Sequence, residues 1–169
     1  MMRGAVTLVP SSGYCIDPKT LKQNFALLAR CDTLGGTNGA LDAPLGVMTV
    51  SIAATQGTPL TLESVAPVIT KRVDADGFAA AKATTDTPAA GLAKSHWRAV
   101  TTLNAHDLSI ALFAPAGSAA LGDEGLRMIA GLIANSQSAS VATSVATDLQ
   151  PKVTPAKKGL AATFAGLFK

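Results

Sequence analysis

The chain has 169 residues, of which 48% are hydrophobic, 15% charged and 4% aromatic. This length allows one globular domain with an appendage and excludes a barrel or large doubly wound fold of about 250 residues. The apolar content is high enough to build a core, so a globally disordered chain is excluded. No stretch reaches the roughly 18 to 20 uncharged apolar residues that a bilayer-spanning helix needs.

Positive charge is confined to the C-terminal part of the chain. Residues 1–135 carry ten Lys/Arg and ten Asp/Glu, whereas residues 136–169 carry four lysines and one aspartate, so the net charge of +3 lies after Asn135. Nucleic-acid binding requires basic residues clustered over a surface, usually with aromatic side chains for stacking. The chain has one Trp, one Tyr and no basic run longer than Lys157-Lys158. We therefore expect no nucleic-acid partner.

Apolar periodicity predicts the secondary structure. Short apolar runs bounded by turn residues predict six strands, at residues 5–9, 25–31, 46–53, 78–85, 93–103 and 107–114. Apolar side chains at three- and four-residue spacing predict two helices, at 64–75 and 119–135. The predicted fold class is α+β: an antiparallel sheet of about six strands, in the order βββαβββα, with helices packed on it and a C-terminal extension.

The composition changes after residue 135 and predicts three parts. Residues 1–135 form the α+β domain. Residues 136–156 are rich in Ser, Ala and Thr, are interrupted by Pro151 and Pro155, and are predicted to be a flexible linker. Residues 157–169 form a short basic amphipathic segment.

Cys15 and Cys31 are separated by 16 positions and flank a turn-prone segment in which Asp17 precedes Pro18. A chain reversal there would bring the two cysteines together, and a disulfide would indicate an oxidising compartment. The alternative is two unpaired, buried cysteines acting as small apolar residues. We expect the disulfide, and with it a periplasmic or envelope-associated protein whose signal sequence is not part of this chain. The alternative is a cytoplasmic protein.

The order of the predicted elements resembles the PsbP-like family of photosystem accessory proteins and their relatives. The closest local match is the segment Ser95–Phe113 followed by a helix. Residues 13–18 (GYCIDP) and 29–32 (ARCD) also resemble small uncharacterised bacterial envelope proteins. The resemblance covers roughly residues 5–135 and rests on element order. It implies binding or assembly roles without catalysis, and it supplies no catalytic residues.

The few residues that could carry chemistry have simpler structural explanations. His106 and Asp107 follow Asn104 in a predicted hairpin turn, where Asn and Asp bond their own backbone. With Ala105 and His106 as the loop, antiparallel pairing places His96 far from His106, so the two histidines cannot share a metal ion. The spacing of the cysteines and histidines does not match a zinc site. We expect no catalytic residue, metal site or cofactor, and Trp97 is expected to pack in the core.

The last thirteen residues carry the predicted partner-binding site. Four apolar side chains recur at helical spacing beside a pair of lysines; the site comprises Lys157, Lys158, Leu160, Phe164, Leu167 and Phe168. So short a helix is marginal alone and must be held by something else. It would dock on a protein partner, a membrane-associated complex or an anionic membrane surface, fold back onto its own domain, or remain disordered.

Two function classes follow from these patterns. The first is a non-enzymatic accessory or interaction subunit of the bacterial cell envelope that binds its partner partly through the C-terminal segment. The second is a small-molecule-binding domain or small enzyme whose site is assembled from scattered residues. A polar cluster around His96, Tyr14 or Asp32 would favour the second class.

Overall fold

The computed structural model describes residues 6–36, 42–66 and 68–148, the last eight of them by backbone alone. Within these ranges the elements in chain order are β1 (Tyr14–Ile16), β2 (Phe25–Arg30), β3 (Val47–Ala54), α1 (Leu62–Val65), β4 (Ile69–Ala75), β5 (Phe78–Thr84), β6 (Ser95–Leu103), β7 (His106–Phe113) and α2 (Asp123–Asp148). In the same ranges, short 3-10 turns cover Cys31–Leu34 and Ala119–Leu121.

The strands form one antiparallel sheet in the order β1-β2-β3-β7-β6-β5-β4. The predicted α+β class with an antiparallel sheet is confirmed. Within the described ranges the sheet has seven strands rather than about six, and the chain order is three strands, a four-residue helix, four strands and a long helix. The β6–β7 hairpin lies at the centre of the sheet.

The two faces of the sheet are covered differently. We call the face packed against α2 the inner face; alternate residues of the strands meet α2 there, among them Met48, Val50, Trp97, Ile110 and Leu112, with Ile129 and Leu132 of the helix. On the opposite, outer face, Leu62 of α1 packs on Ala81 and Val100 of β5 and β6. Trp97 is 1% exposed and its Nε1–H donates to the carbonyl oxygen of Gly122 at 3.1 Å, so its predicted core position is confirmed.

The helix predicted at 64–75 is wrong. Residues 62–65 form α1, and Ile69–Ala75 is strand β4. A register irregularity between Ile69 and Lys71 turns the strand, so that Ile69 packs with the outer cluster and Val73 with the inner core. The apolar residues that predicted one helix face therefore lie in different surroundings: Val65 in α1, Val68 exposed before β4, and Ile69 and Val73 in the two separate clusters. The Asp76-Gly77 pair forms the hairpin turn between β4 and β5, with Gly77 at φ +80°.

Residues 6–9, predicted to be part of a strand, pack instead against the part of α2 that follows Asn135. From Val6 onward the N-terminal segment lies along α2 and is not part of the sheet. The helix does not end at Asn135 but continues to Asp148, so residues 136–148 of the predicted linker are helical. Ser136 and Ser140 are fully buried and accept hydrogen bonds from the backbone N–H groups of Val9 and Thr7, at 3.0 and 2.9 Å.

The geometry of the two segments explains why serines occupy these positions. Alternate N–H groups of an extended chain are about 6.6 Å apart, and residues four apart on a helix rise by about 6 Å. Two serines at that spacing can therefore satisfy two successive N–H groups on one side of the extended segment. Small residues also allow the close approach, which is why the sequence of this helix looks like a linker.

The β6–β7 turn differs by one residue from the predicted turn. Leu103 pairs with His106, so the two loop residues are Asn104 and Ala105, both with positive φ. Asn adopts this conformation more readily than most residues, which explains its place at the start of the loop. The shift moves Asp107 out of the turn and onto the outer face of β7.

Candidate functional site

Three side chains form a polar and aromatic cluster on the outer face of the central hairpin. His96 and Arg98 alternate on β6 with the inward Trp97, and Phe113 lies on β7. The His96 and Phe113 rings stack with centroids 4.7 Å apart. The Arg98 guanidinium lies 5.7 Å from the Phe113 ring centre, and its Nε–H donates to His96 Nε2 at 3.2 Å. Each side chain therefore fixes the orientation of the other two.

His96 acts as a neutral hydrogen-bond acceptor in this cluster. The side chain is 4% exposed. Burial lowers the pKa of His96, and the charge of Arg98 acts in the same direction, against the opposing effect of the Lys94 carbonyl. Because Arg98 can only donate, Nε2 is unprotonated and the ring proton lies on Nδ1, 3.5 Å from the Lys94 oxygen.

Arg98 differs from the other arginines that the structure describes. Arg30, Arg72 and Arg127 each form an ion pair with a carboxylate. Arg98 has no carboxylate within 4.0 Å in residues 6–36, 42–66 and 68–148, although it is partly buried. Burial lowers the pKa of its guanidinium, which still stays protonated. The cluster therefore holds a positive charge that no described residue neutralises.

A row of small side chains runs along β3 and β7 beside this cluster, and Ala111 in this row is only 1% exposed. Ala111 faces Arg98 across β6–β7, and Thr49 faces Ala111 across β3–β7. The next outward-facing pair is Ser51 and Ser109. Farther along the same face lies an open groove of about 410 Å³, whose floor includes these two serines and whose walls include Phe25, Leu60 and Val65.

Asp107 lies at the far end of this row. The residue is 7% exposed, and its carboxylate accepts hydrogen bonds from the Thr55 and Thr102 hydroxyls, both at 2.8 Å, and from the Leu60 N–H at 3.3 Å. Burial alone would raise the pKa of Asp107, but these hydrogen bonds and the nearby His106 hold it below its ordinary value. The carboxylate therefore has a structural role: it holds the loop before α1 against the outer face through hydrogen bonds from Thr55 and Leu60.

The predicted cysteine pair is present. Cys15 and Cys31 form a disulfide with their Cα atoms 4.9 Å apart, which ties β1 to the 3-10 turn after β2. The predicted partner-binding residues, Lys157, Lys158, Leu160, Phe164, Leu167 and Phe168, lie outside the described residues.

The other polar residues singled out from the sequence do not join His96. Tyr14 lies in the core, where burial raises its pKa to about 12 and its hydroxyl donates to the Pro44 carbonyl at 2.8 Å. Asp32 pairs with Arg30 at 2.6 Å. Among the described residues there is no group of three His, Cys, Asp or Glu side chains that could hold a metal ion. No helix of the described part is both long and apolar enough to span a membrane.

Sequence reasoning missed Arg98 and the true role of Asp107. Polar residues do alternate with apolar ones at 96–103, and that pattern predicts an outward-facing polar row on β6. The pattern does not show which side chains of the neighbouring strands lie next to that row, or whether they are charged. The unpaired state of Arg98 depends on the sheet order, which places Ala111 and Thr49 next to it.

Comparisons with known proteins give no match. No protein-family model matches the chain, and neither do any of the curated proteins or solved structures compared with it. The resemblance in element order to the PsbP-like family therefore stays a prediction.

Proposed function

We propose that this chain is an accessory protein of the bacterial cell envelope that acts by binding a partner and not by catalysis. The observation that carries the proposal is the disulfide between Cys15 and Cys31. Disulfides persist in oxidising compartments such as the periplasm and are rare in the cytosol. Cys31 is buried, so the bond is part of the folded core at this edge of the sheet and not an accessory cross-link on the surface.

The partner is proposed to bind partly through the C-terminal segment. Lys157 and Lys158 precede an apolar stripe formed by Leu160, Phe164 and Leu167. Burying such side chains contributes about 1.5 to 3 kcal/mol each before ordering costs. The lysines would add a salt-sensitive attraction to an acidic protein surface or an anionic membrane.

The compartment is tested by the state of the thiols in cells. Cells are quenched with acid, and the protein is alkylated with and without prior reduction before its intact mass is measured. We expect no alkylation without reductant and two alkylated cysteines after reduction. Two freely alkylated thiols in unreduced protein would contradict the envelope assignment and favour the cytoplasmic alternative.

The binding segment is tested by truncation after Gln150. Full-length and truncated protein are compared in co-purification from native membranes and in flotation with vesicles of anionic or neutral lipid. We expect the truncated protein to lose its partner while keeping its melting temperature. A matched control, Ala161→Ser, changes a residue beside the apolar stripe and should retain the partner. A large fall in melting temperature with unchanged recovery would instead show that the segment packs on its own domain.

A further inference from the structure

The open groove of about 410 Å³ on the outer face lies between two apolar walls. Phe25 of β2 forms one wall, and Leu60 and Val65, which pack with the outer cluster on β5 and β6, form the other. The floor between them includes Ser51 and Ser109, which are paired across β3 and β7. Small-molecule sites have volumes of about 300 to 1,000 Å³ and combine apolar walls with a few polar groups. The groove therefore has the size and the lining of a site for a small ligand.

The two serines on the floor have hydroxyl groups that the described part of the protein does not use. Neither hydroxyl forms a hydrogen bond with a residue in 6–36, 42–66 or 68–148. The side chain of Ser51 is exposed and that of Ser109 is half-buried. A serine hydroxyl can both donate and accept a hydrogen bond. A ligand in the groove can therefore bond to the floor without breaking a contact within the described structure.

Asp107 is the one ionisable residue that lines this groove. It is also the only buried Asp or Glu among the described residues, and it forms no ion pair with any described Lys, Arg or His. Its three hydrogen bonds come from neutral donors, which keep the carboxylate ionised and leave its charge of −1 in place. Arg98 lies against Phe113, about 20 Å farther along β7. The groove therefore has a negative potential.

These features together favour an organic ammonium group as the ligand. An ammonium ion is attracted to the charge of Asp107 and can donate hydrogen bonds to serine hydroxyl oxygens. The face of the Phe25 ring attracts a cation as well. An anion would instead be repelled by Asp107, and no basic residue lines the groove to compensate. The apolar walls favour an ammonium ion that carries a ring or a short aliphatic chain.

A second open groove, of about 380 Å³, shares Leu60 and Asp107 with the first. The rest of its lining is mostly polar, with Gln56, Thr58 and Thr61 from the loop before α1 and no aromatic ring among the described residues. It offers a cation the same charge but neither the ring of Phe25 nor a comparable apolar wall. The first groove is therefore the better match for an ammonium ion with an apolar portion.

We propose that the groove between Phe25 and α1 binds a small organic ammonium ion. The ammonium group lies over Ser51 and Ser109, at the end of the groove nearest Asp107. The apolar portion of the ligand lies between Phe25 and Val65. This site goes beyond the partner-binding role proposed above and does not depend on it.

The test is a nuclear magnetic resonance titration of the full chain with benzylamine and with hexylamine, both protonated at neutral pH. Benzyl alcohol and hexanol are the matched neutral ligands, and benzoate is the anionic control. We expect saturable shifts of the Ser51 and Ser109 backbone amides with the two amines only, weakening as salt is raised. Equal shifts with the alcohols, no saturable shift, or shifts centred on Thr58 and Thr61 would overturn the proposal.

Variants separate this site from general electrostatics. Asp107→Asn should weaken amine binding by about tenfold or more, because the only charge that lines the groove is lost. Asp86→Asn removes the same charge from an exposed loop and should leave binding unchanged.

A second variant keeps the test decisive if Asp107→Asn does not fold. Ser51→Leu leaves Asp107 in place, removes a floor hydroxyl and narrows the groove at an exposed strand position, so it should also weaken amine binding. Wild-type amine affinity in folded Asp107→Asn or in Ser51→Leu would refute the site.

Discussion

The backbone N–H of Val9 donates to the side-chain oxygen of Ser136, 3.0 Å away and fully buried. Residues from the two ends of the described chain thereby meet, and the N-terminal segment is fixed along α2. The same helix face buries Ser140, which accepts from Thr7. This face, and not the apolar periodicity of α2 alone, explains why the helix extends thirteen residues beyond its predicted end at residue 135.

The first prediction concerns that hydrogen bond. Ser136→Ala should lower the free energy of unfolding by about 1 to 3 kcal/mol, because it leaves a buried N–H without an acceptor. Urea denaturation measures the loss, and hydrogen exchange at the Val9 amide should accelerate. Ser138→Ala is the matched control: Ser138 is exposed and bonds only within its own helix, so a change within about 0.5 kcal/mol is expected. Equal effects of the two variants would contradict this assignment.

Elements that are determined by the local apolar pattern could be predicted from the sequence. Elements that depend on contacts between residues far apart in the sequence could not. The strands of the β6–β7 hairpin and the part of α2 before residue 135 follow from strong local periodicity and were predicted, although the turn lies one residue earlier and the α-helix begins at Asp123, after a 3-10 turn. Strand β4 was missed because a register irregularity shifts its apolar residues between the two faces. The helix beyond residue 135 was missed because Ser136 and Ser140 suit a linker until the N-terminal segment is placed against them.

The candidate site was less predictable than the fold, for a physical reason. The disulfide could be predicted because two cysteines flanking a turn allow only one intramolecular pair. Arg98 differs from the other arginines because none of the described residues places a carboxylate within 4.0 Å of it, and this depends on strand order and register. Asp107 was assigned to the turn because its neighbours favour turns, yet one residue of shift places it under the Thr55 and Leu60 loop.

The second prediction concerns the disulfide. Cys15→Ser combined with Cys31→Ser should lower the free energy of unfolding by about 3 kcal/mol, the chain-entropy value for a loop of this size. Chemical denaturation of the variant and of wild-type protein with and without reductant provides the measurement. Reduced wild-type protein should match the double variant, which serves as its control. An unchanged denaturation midpoint in protein with two verified free thiols would contradict a stabilising role.

The third prediction concerns Trp97. Trp97→Ala should cost roughly 3 to 5 kcal/mol, because it removes a large, fully buried side chain from the contact between β6 and α2. Trp97→Phe retains most of the packing but loses the bond to the Gly122 carbonyl, so its cost should be distinctly smaller. Thermal and urea unfolding of both variants test the order. If the two variants lost equal stability, the hydrogen bond and not the packing would be the dominant contribution.

The last prediction concerns the pH dependence contributed by Asp107. Its folded-state pKa lies below the ordinary value, so the ionised carboxylate favours the folded state. That stability is complete above the unfolded pKa of about 3.9 and is lost as the pH falls through the lower folded pKa. The asparagine side chain in Asp107→Asn has the same shape as aspartate, but it offers one acceptor oxygen instead of two to the three donors. The variant should therefore be less stable than the wild type at pH 7, and the difference should shrink as the pH falls below about 4.

Denaturation of both proteins from pH 7 to pH 2 measures this difference. Asp86→Asn removes the same charge from an exposed loop and should leave the free energy of unfolding within about 0.5 kcal/mol of the wild type at pH 7. A gap between wild type and Asp107→Asn that stays constant down to pH 2 would show that the carboxylate's charge does not hold the Thr55 and Leu60 loop. In that case the loss at pH 7 would come from altered packing, since packing does not titrate.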